Sequence, residues 1–213
     1  MKLRTYCREE RVRAFVIYAD TTGFTTWAKR GATSPEDKRA YIIAMYGEFL
    51  RFEQESGLPL KYLCDGFFGA REMARGHNCG LALWILKHSW NIQQRMEKII
   101  AGMRHPRPEG FRVRIACGMV SKLIVPHVGR IKQDRAEYVG ESPVLGDRLL
   151  EIERNVGCIC TIGVRELLKK ESGIIFEPVN VSGPTPKGID DEDLKELVSF
   201  RFVDSGGKPC RVG

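Results

Sequence analysis

Two aspartates stand where carboxylates do chemistry. Asp20 closes an apolar run, Arg13 to Asp20 (RAFVIYAD), and Asp65 lies between the two short apolar runs of Leu58 to Gly69 (LPLKYLCDGFFG). Held a few ångströms apart, two carboxylates repel unless cations sit between them. A pair of Mg²⁺ or Mn²⁺ ions is the usual solution where a hydroxyl is activated and a triphosphate held. After Asp20 comes TTGFTTWAKR, in which Gly23 supplies a turn and a helix start would aim backbone N–H groups at an anion. Singly, each aspartate fits a blander role better, Asp20 as a cap or loop residue and Asp65 as a turn former. The pair carries chemistry only if the fold brings it together.

The elements that must do so are legible in the pattern of apolar residues. Arg13 to Asp20 is apolar on both alternating faces, as in a central strand covered on two sides. Thr25 is the predicted N-cap of a short helix. Ser34-Pro35-Glu36 opens a long amphipathic one with Ile42, Met45, Tyr46, Phe49 and Phe52 on its buried face. Asp65-Gly66 predicts a tight hairpin with Asp65 at its tip. A helix over 79–101 presents Leu81, Ile85, His88, Ile92, Met96 and Ile99 on one face, with His88 a packed residue rather than a ligand. Phe111 to Gly118 alternates as a strand, and Lys122 to Val128 and Glu137 to Val139 are strand-like. A helix follows from Pro143 towards Asn155. Strands near 157–162 and 174–181, a helical piece at 163–171 and a last apolar run at Leu197 to Val203 complete the chain. The order predicts an α/β (α+β) fold of ferredoxin-like connectivity, with a central, mostly antiparallel sheet and flanking helices. In such a sheet the first strand pairs beside the hairpin, so Asp20 and Asp65 meet at one sheet end.

A chain of 213 residues, 43% of them hydrophobic, suits one generous domain, predicted at 13–213 behind a charged arm at 1–12. No apolar run approaches the roughly 20 residues of a membrane span and the N-terminus lacks a signal peptide's apolar stretch, which predicts a cytoplasmic protein with no membrane partner. Seven cysteines at irregular spacing indicate neither disulfides nor a zinc site. The net charge of +7 favours a polyanionic partner, nucleic acid or a triphosphate in a basic cleft. The basic residues are spread along the chain without a block or aromatic interleaving, which argues against a nucleic-acid platform.

Beyond these patterns, Asp20-Thr21-Thr22-Gly23-Phe24-Thr25 resembles the D-x-x-G-F-T signature of class III adenylate and guanylate cyclases. Lys61-Tyr62-Leu63-Cys64-Asp65 resembles their K-x-x-G-D hairpin, with Cys64 where glycine is usual. Glu137-Tyr138-Val139-Gly140, followed by Arg148, is similar to their base-recognition strand and catalytic helix. The resemblance spans about residues 13 to 190. It implies that Asp20 and Asp65 bind two divalent metal ions, Mn²⁺ or Mg²⁺, with the Thr21 backbone carbonyl as a further ligand. It also implies that Thr22, Gly23, Phe24 and Thr25 cradle the phosphates, that Lys61 and Glu137 read the base edge, and that Arg148 offsets charge at the α-phosphate. Lys187 matches a late lysine that reaches the terminal phosphates. In this family, metal and base-reading residues face each other across a subunit interface, which implies a homodimer with composite sites.

The family's catalytic asparagine falls at Val144, which offers no hydrogen bond. Either Ser142 or Asp147 supplies the contact, or this branch dispenses with it, or the domain is silent. A Lys donor and a Glu acceptor fit adenine, uracil and cytosine alike. Glu137 is one methylene longer than the aspartate typical of adenylate cyclases and would suit a smaller ring. With Cys64, the missing asparagine and the short stand-alone domain, the chain looks like the pyrimidine cyclases of bacterial Pycsar anti-phage systems. That likeness implies UTP as substrate, CTP next, and a cyclic pyrimidine messenger acting on a separate effector protein. The alternatives are an adenylate or guanylate cyclase, a silent nucleotide-binding dimerisation domain, and an RNA binder on the same architecture.

Overall fold

The computed structural model describes residues 8–29, 31, 33–76, 78–125, 135–140, 143, 147, 149–150, 157–179 and 197–204. Its strands are β1 (Arg8–Thr22), β2 (Leu60–Tyr62), β3 (Gly66–Glu72), β4 (Gly110–Val125), β5 (Arg135–Val139), β6 (Cys158–Thr161), β7 (Ile174–Pro178) and β8 (Leu197–Phe202). Its helices are α1 (Phe24–Lys29), α2 (Pro35–Ser56), α3 (Cys79–Gly102) and α4 (Ile162–Leu167). The strands form one sheet in the order β2-β3-β1-β4-β6-β8-β7, with β5 on β4. Pairing among the described strands is antiparallel except between β4 and β6. The β2-β3-β1-β4 order is the predicted ferredoxin-like core, with β1 central and the hairpin beside it.

Sequence dictates this locally. Ser34 caps α2 by accepting the Asp37 N–H at 3.0 Å, Pro35 occupies the first turn, and Gly57, in a left-handed conformation, ends the helix. On one face of the sheet Phe15, Ile17 and Ala19 of β1 and Phe111, Val113 and Ile115 of β4 pack under Tyr41, Met45, Phe49 and Phe52 of α2 and Ile85, Ile92 and Met96 of α3. The alternate residues Ala14, Val16, Ala70, Ala116 and Val120 are buried on the opposite face, so β1 is covered on both sides as its pattern required. Arg95 of α3 holds α2: its Nε donates to Glu48 at 2.5 Å and a terminal nitrogen to Glu55 at 3.3 Å. His88 lies nearby, half-buried against Trp84 and 3.9 Å from Glu55, and burial lowers its pKa.

The structure departs from the sequence reading in the framework as well as at the site. β1 begins at Arg8 and pairs with β4 out to Ile124, so residues 8–12 of the predicted arm belong to the sheet. β4 runs unbroken through Gly118, because pairing with β1 and then β5 carries the ladder past the point where alternation lapses. The buried face of α3 is rotated: Ala82, Leu86, Ser89 and Ile100 enter the core, while Leu81, His88 and Ile99 sit at its margin. Ile42 of α2 is 38% exposed, its expected place taken by Tyr41. The five described cysteines are free, and no described helix is long and apolar enough to cross a membrane.

Candidate active site

Asp20 and Asp65 come together through backbone pairing. Asp20 is the register partner of Gly66, and the Thr21 N–H donates to the Asp65 carbonyl at 2.9 Å. The turn differs from the expected Asp-Gly type. The Leu63 N–H donates to the Gly66 carbonyl at 2.9 Å, so Cys64 and Asp65 are its central residues and Gly66 already belongs to β3. Gly66 is required for space rather than for a left-handed backbone, since a Cβ there would lie 1.9 Å from the Ala19 carbonyl oxygen. Burial, and next the Asp20 carboxylate beside it, push the Asp65 carboxyl above its ordinary pKa.

A third group enters from β4. Arg112 is the cross-strand partner of Asp20; one terminal nitrogen donates to Asp20 Oδ2 and the other to the Leu150 carbonyl, while its Nε is buried without a partner. Two residues on, Arg114 is fully buried and donates to the carbonyls of Leu149 at 2.9 Å and Gly157 at 3.0 Å. Sequence reasoning missed both arginines. The signal was present in Phe-Arg-Val-Arg-Ile, where charges occupy every other position of a strand otherwise built for burial; such charges need partners.

The donor set fits a hard divalent cation. Two oxygen-only carboxylates press against each other and only one has a described ion-pair partner. Among the described residues no cluster of three or more His, Cys, Asp or Glu exists, so carbonyl, water or phosphate oxygens would have to complete the coordination. The hydroxyl of Thr22, buried and without a partner, adds an unused polar group to the turn beyond Asp20.

The predicted phosphate cradle is placed unevenly. Thr21 turns its side chain into the core, its hydroxyl 2.9 Å from that of Tyr41 and 3.6 Å from Met45 sulfur, leaving only its backbone for a ligand. Gly23 has φ +74°, a conformation that disfavours side chains, and its carbonyl accepts the Trp27 N–H at 2.9 Å. The helix therefore starts at Phe24; Gly23 holds the cap position expected of Thr25, which lies exposed in the first turn of α1. Phe24 is itself a core residue against Trp27.

Lys61 and Glu137, 76 positions apart in sequence, meet in an ion pair of 3.2 Å. Both line a pocket of about 400 Å³ with Leu60, Phe68, Ala136 and Tyr138. Phe68 packs in turn on Tyr18, whose ring centroid lies 4.8 Å from its own and whose hydroxyl is pushed up to about 12 by burial and then by the charge of Asp147. Tyr138 donates to Glu72 at 3.2 Å, and Lys122 pairs with the same carboxylate at 2.6 Å, tying β5 across the sheet to β3. Glu53 of α2 clamps the hairpin, one oxygen on the Leu60 N–H at 3.1 Å and the other on the Tyr62 hydroxyl at 2.5 Å. Arg148, Lys187, Val144 and Ser142 lie outside the described residues; Asp147 is exposed.

No protein-family model matches the chain, and no curated protein matches its sequence. Solved structures do. The guanylyl cyclase Cya2 is similar at 17% identity with a TM-score of 0.65, over 95% of this chain and 98% of that one. The adenylyl cyclase CyaB from P. aeruginosa gives 16% and 0.65, over 97% and 100%. The guanylate cyclase domain of RhGC from Catenaria anguillulae gives 13% and 0.61, over 92% and 100%. The fold is that of nucleotide cyclase catalytic domains. In this cyclase fold the paired aspartates occupy one sheet end, and the Lys61–Glu137 pocket shares the β2–β3 hairpin with Asp65.

Proposed function

We propose that the protein is a nucleotide cyclase that converts UTP, and CTP next, to the 3′,5′-cyclic nucleotide with release of pyrophosphate. The observation that carries this is the meeting of Asp20 and Asp65 at the end of β1, in a fold shared with adenylyl and guanylyl cyclases. In the reaction the substrate's 3′-oxygen bonds to its own α-phosphorus, the bond from that phosphorus to pyrophosphate breaks, and the hydroxyl proton leaves to solvent. Two divalent cations, Mn²⁺ or Mg²⁺, would lower the hydroxyl's pKa and neutralise charge on the phosphate oxygens.

Asp20 and Asp65 would hold those cations, with the Thr21 carbonyl as a further oxygen. Backbone N–H groups from Thr22 to Thr25 and the Thr22 hydroxyl would take phosphate oxygens, with Lys187 on the terminal phosphates and Arg148 on the charge developing at the α-phosphate. Lys61 donates to the base and Glu137 accepts from it. Their mutual pairing keeps both satisfied before a base enters, and the extra methylene of Glu137 narrows the space left for a ring. A homodimer would join the carboxylates of one protomer to the base pocket of its partner. The cyclic product would act in the cytoplasm on a separate effector protein in anti-phage defence.

The test is to incubate the purified chain with Mn²⁺ and each of ATP, GTP, CTP and UTP, and to identify products by mass. Cyclic UMP or cyclic CMP is expected. Cyclic AMP or cyclic GMP would keep the chemistry and discard the base assignment, and no product from any of the four would remove the cyclase reading. For the pocket, Lys61→Met should raise KM for the preferred nucleotide by about tenfold or more with a smaller change in kcat, since a lost base contact is worth about 1–3 kcal/mol. Equal KM values in steady-state assays would take Lys61 out of base recognition.

A further inference from the structure

Arg112 plays no part in the roles assigned above, yet it holds one of the two carboxylates on which they depend. It enters opposite Asp20 in the β1–β4 register and donates to Asp20 Oδ2. Neither member of the pair is well exposed, the Arg112 side chain at 12% and that of Asp20 at 21%, so solvent screens their attraction weakly. The guanidinium is also held from the far side, where its other terminal nitrogen donates to the Leu150 carbonyl. Swinging it out of the site would break both contacts at once.

Charge decides what such a group does to a cation. The Arg112 guanidinium offsets the charge that one of the two carboxylates can offer, so the pair is a poorer host for divalent ions by itself. A triphosphate brings several more negative charges and restores the balance. The Arg112 Nε–H, buried without a partner, is a donor that an arriving phosphate oxygen would satisfy.

We propose that Arg112 is an internal counter-cation for Asp20, so that divalent cations enter with the nucleotide rather than ahead of it. This rests on Asp20 and Asp65 being the metal ligands, as in the function proposed above. Arg112 then acts on the cations through Asp20, and the sign of its effect separates it from a structural prop. Losing a prop would loosen the carboxylate and weaken cation binding by a few-fold at most. Losing a unit positive charge beside the site strengthens it by far more, because the charges interact across a poorly screened gap.

Mn²⁺ binding to the purified full-length chain, followed by electron paramagnetic resonance without nucleotide, reads this directly. Arg112→Met should bind Mn²⁺ at least about tenfold more tightly than the native chain, whereas Arg112→Lys, which keeps the charge, should stay within about threefold. Arg112→Gln, neutral but still polar, should follow Arg112→Met and serves where the methionine variant fails to fold. A neutral variant that binds Mn²⁺ no more tightly than the native chain, or that binds none, overturns the proposal. A non-cyclisable nucleotide analogue should also tighten Mn²⁺ binding more in the native chain than in the neutral variant, and equal tightening overturns it as well. Product formation reports separately on the reading beneath. Cyclic product from the native chain together with unimproved binding in the neutral variant removes only the counter-cation, while tighter binding without any product removes only the cyclase.

Discussion

Asp65→Asn should abolish the proposed turnover without unfolding the protein: cyclic-nucleotide formation is expected to fall by roughly a thousandfold or more, while the thermal midpoint of the metal-free chain stays level or rises. The two halves of this expectation have one cause. Asparagine keeps the shape of the turn and the backbone carbonyl that accepts the Thr21 N–H, and removes only the charge that a divalent cation would neutralise. In the native fold that charge is unwelcome, since burial and then Asp20 raise the Asp65 carboxyl above its ordinary pKa. The folded state therefore binds the proton more tightly than the unfolded chain. The protonated carboxyl's contribution to stability is fully present below the unfolded pKa and is lost as pH rises through the folded one. Metal-free native protein should lose stability over that acidic window as pH rises, and Asp65→Asn should not. Thermal melts in EDTA across that window, alongside the product assay, check both; a variant that retained activity would separate Asp65 from the chemistry.

Arg95→Met is the larger expected loss of stability, about 3 kcal/mol, read as a lower denaturant midpoint with an unchanged slope. Arg95 is 8% exposed at its side chain and serves the carboxylates of Glu48 and Glu55, which are themselves only 19% and 32% exposed. Removing the guanidinium takes from Glu48 its 2.5 Å partner and leaves Glu55 to the exposed Arg51 on its own helix, so a partly shielded negative charge faces α3, with His88 held towards its neutral form by burial and unable to replace the guanidinium. Adding Glu48→Gln should recover part of the loss, because the cost lies in the uncompensated charge rather than in a missing contact. A single-variant midpoint within experimental error of native would place the α2–α3 attachment entirely in its apolar contacts.

What could be read from the sequence, and what could not, follows physical lines. The carboxylate pair was legible because strand order follows from element order, and a ferredoxin-like core places the end of β1 against the β2–β3 turn. Lys61 and Glu137 were legible as candidates through the family resemblance, and the fold brings them within 3.2 Å. The turn type was misjudged at Asp65-Gly66. The dipeptide rule concerns backbone angles, whereas Gly66 answers to the Ala19 carbonyl in a neighbouring strand, a contact that local sequence does not contain. Thr25 was misplaced for a related reason: Gly23 can take the cap position because its left-handed backbone lets α1 start two residues sooner. Arg112 and Arg114 were passed over because alternation was scored for apolar residues. Their partners, Asp20 and the carbonyls of residues 149, 150 and 157, are distant in sequence and meet them only in the folded sheet.

The clamp that Glu53 places on the β2–β3 hairpin bears on how such a protein could change over generations or at an engineer's bench. Lys61 and Asp65 ride on one ribbon, fixed at Leu60 and Tyr62 by a single carboxylate from α2. With Lys61 and Asp65 in the roles proposed for them, a substitution that shifts the ribbon to suit a new base would move the Asp65 turn with it, so variants there should trade selectivity against rate. Glu137 sits on β5, which among the described residues pairs with β4, far along the chain from that turn. New base preferences should therefore arise first on β5, with the hairpin left unaltered as the shared inheritance of every descendant that still turns over.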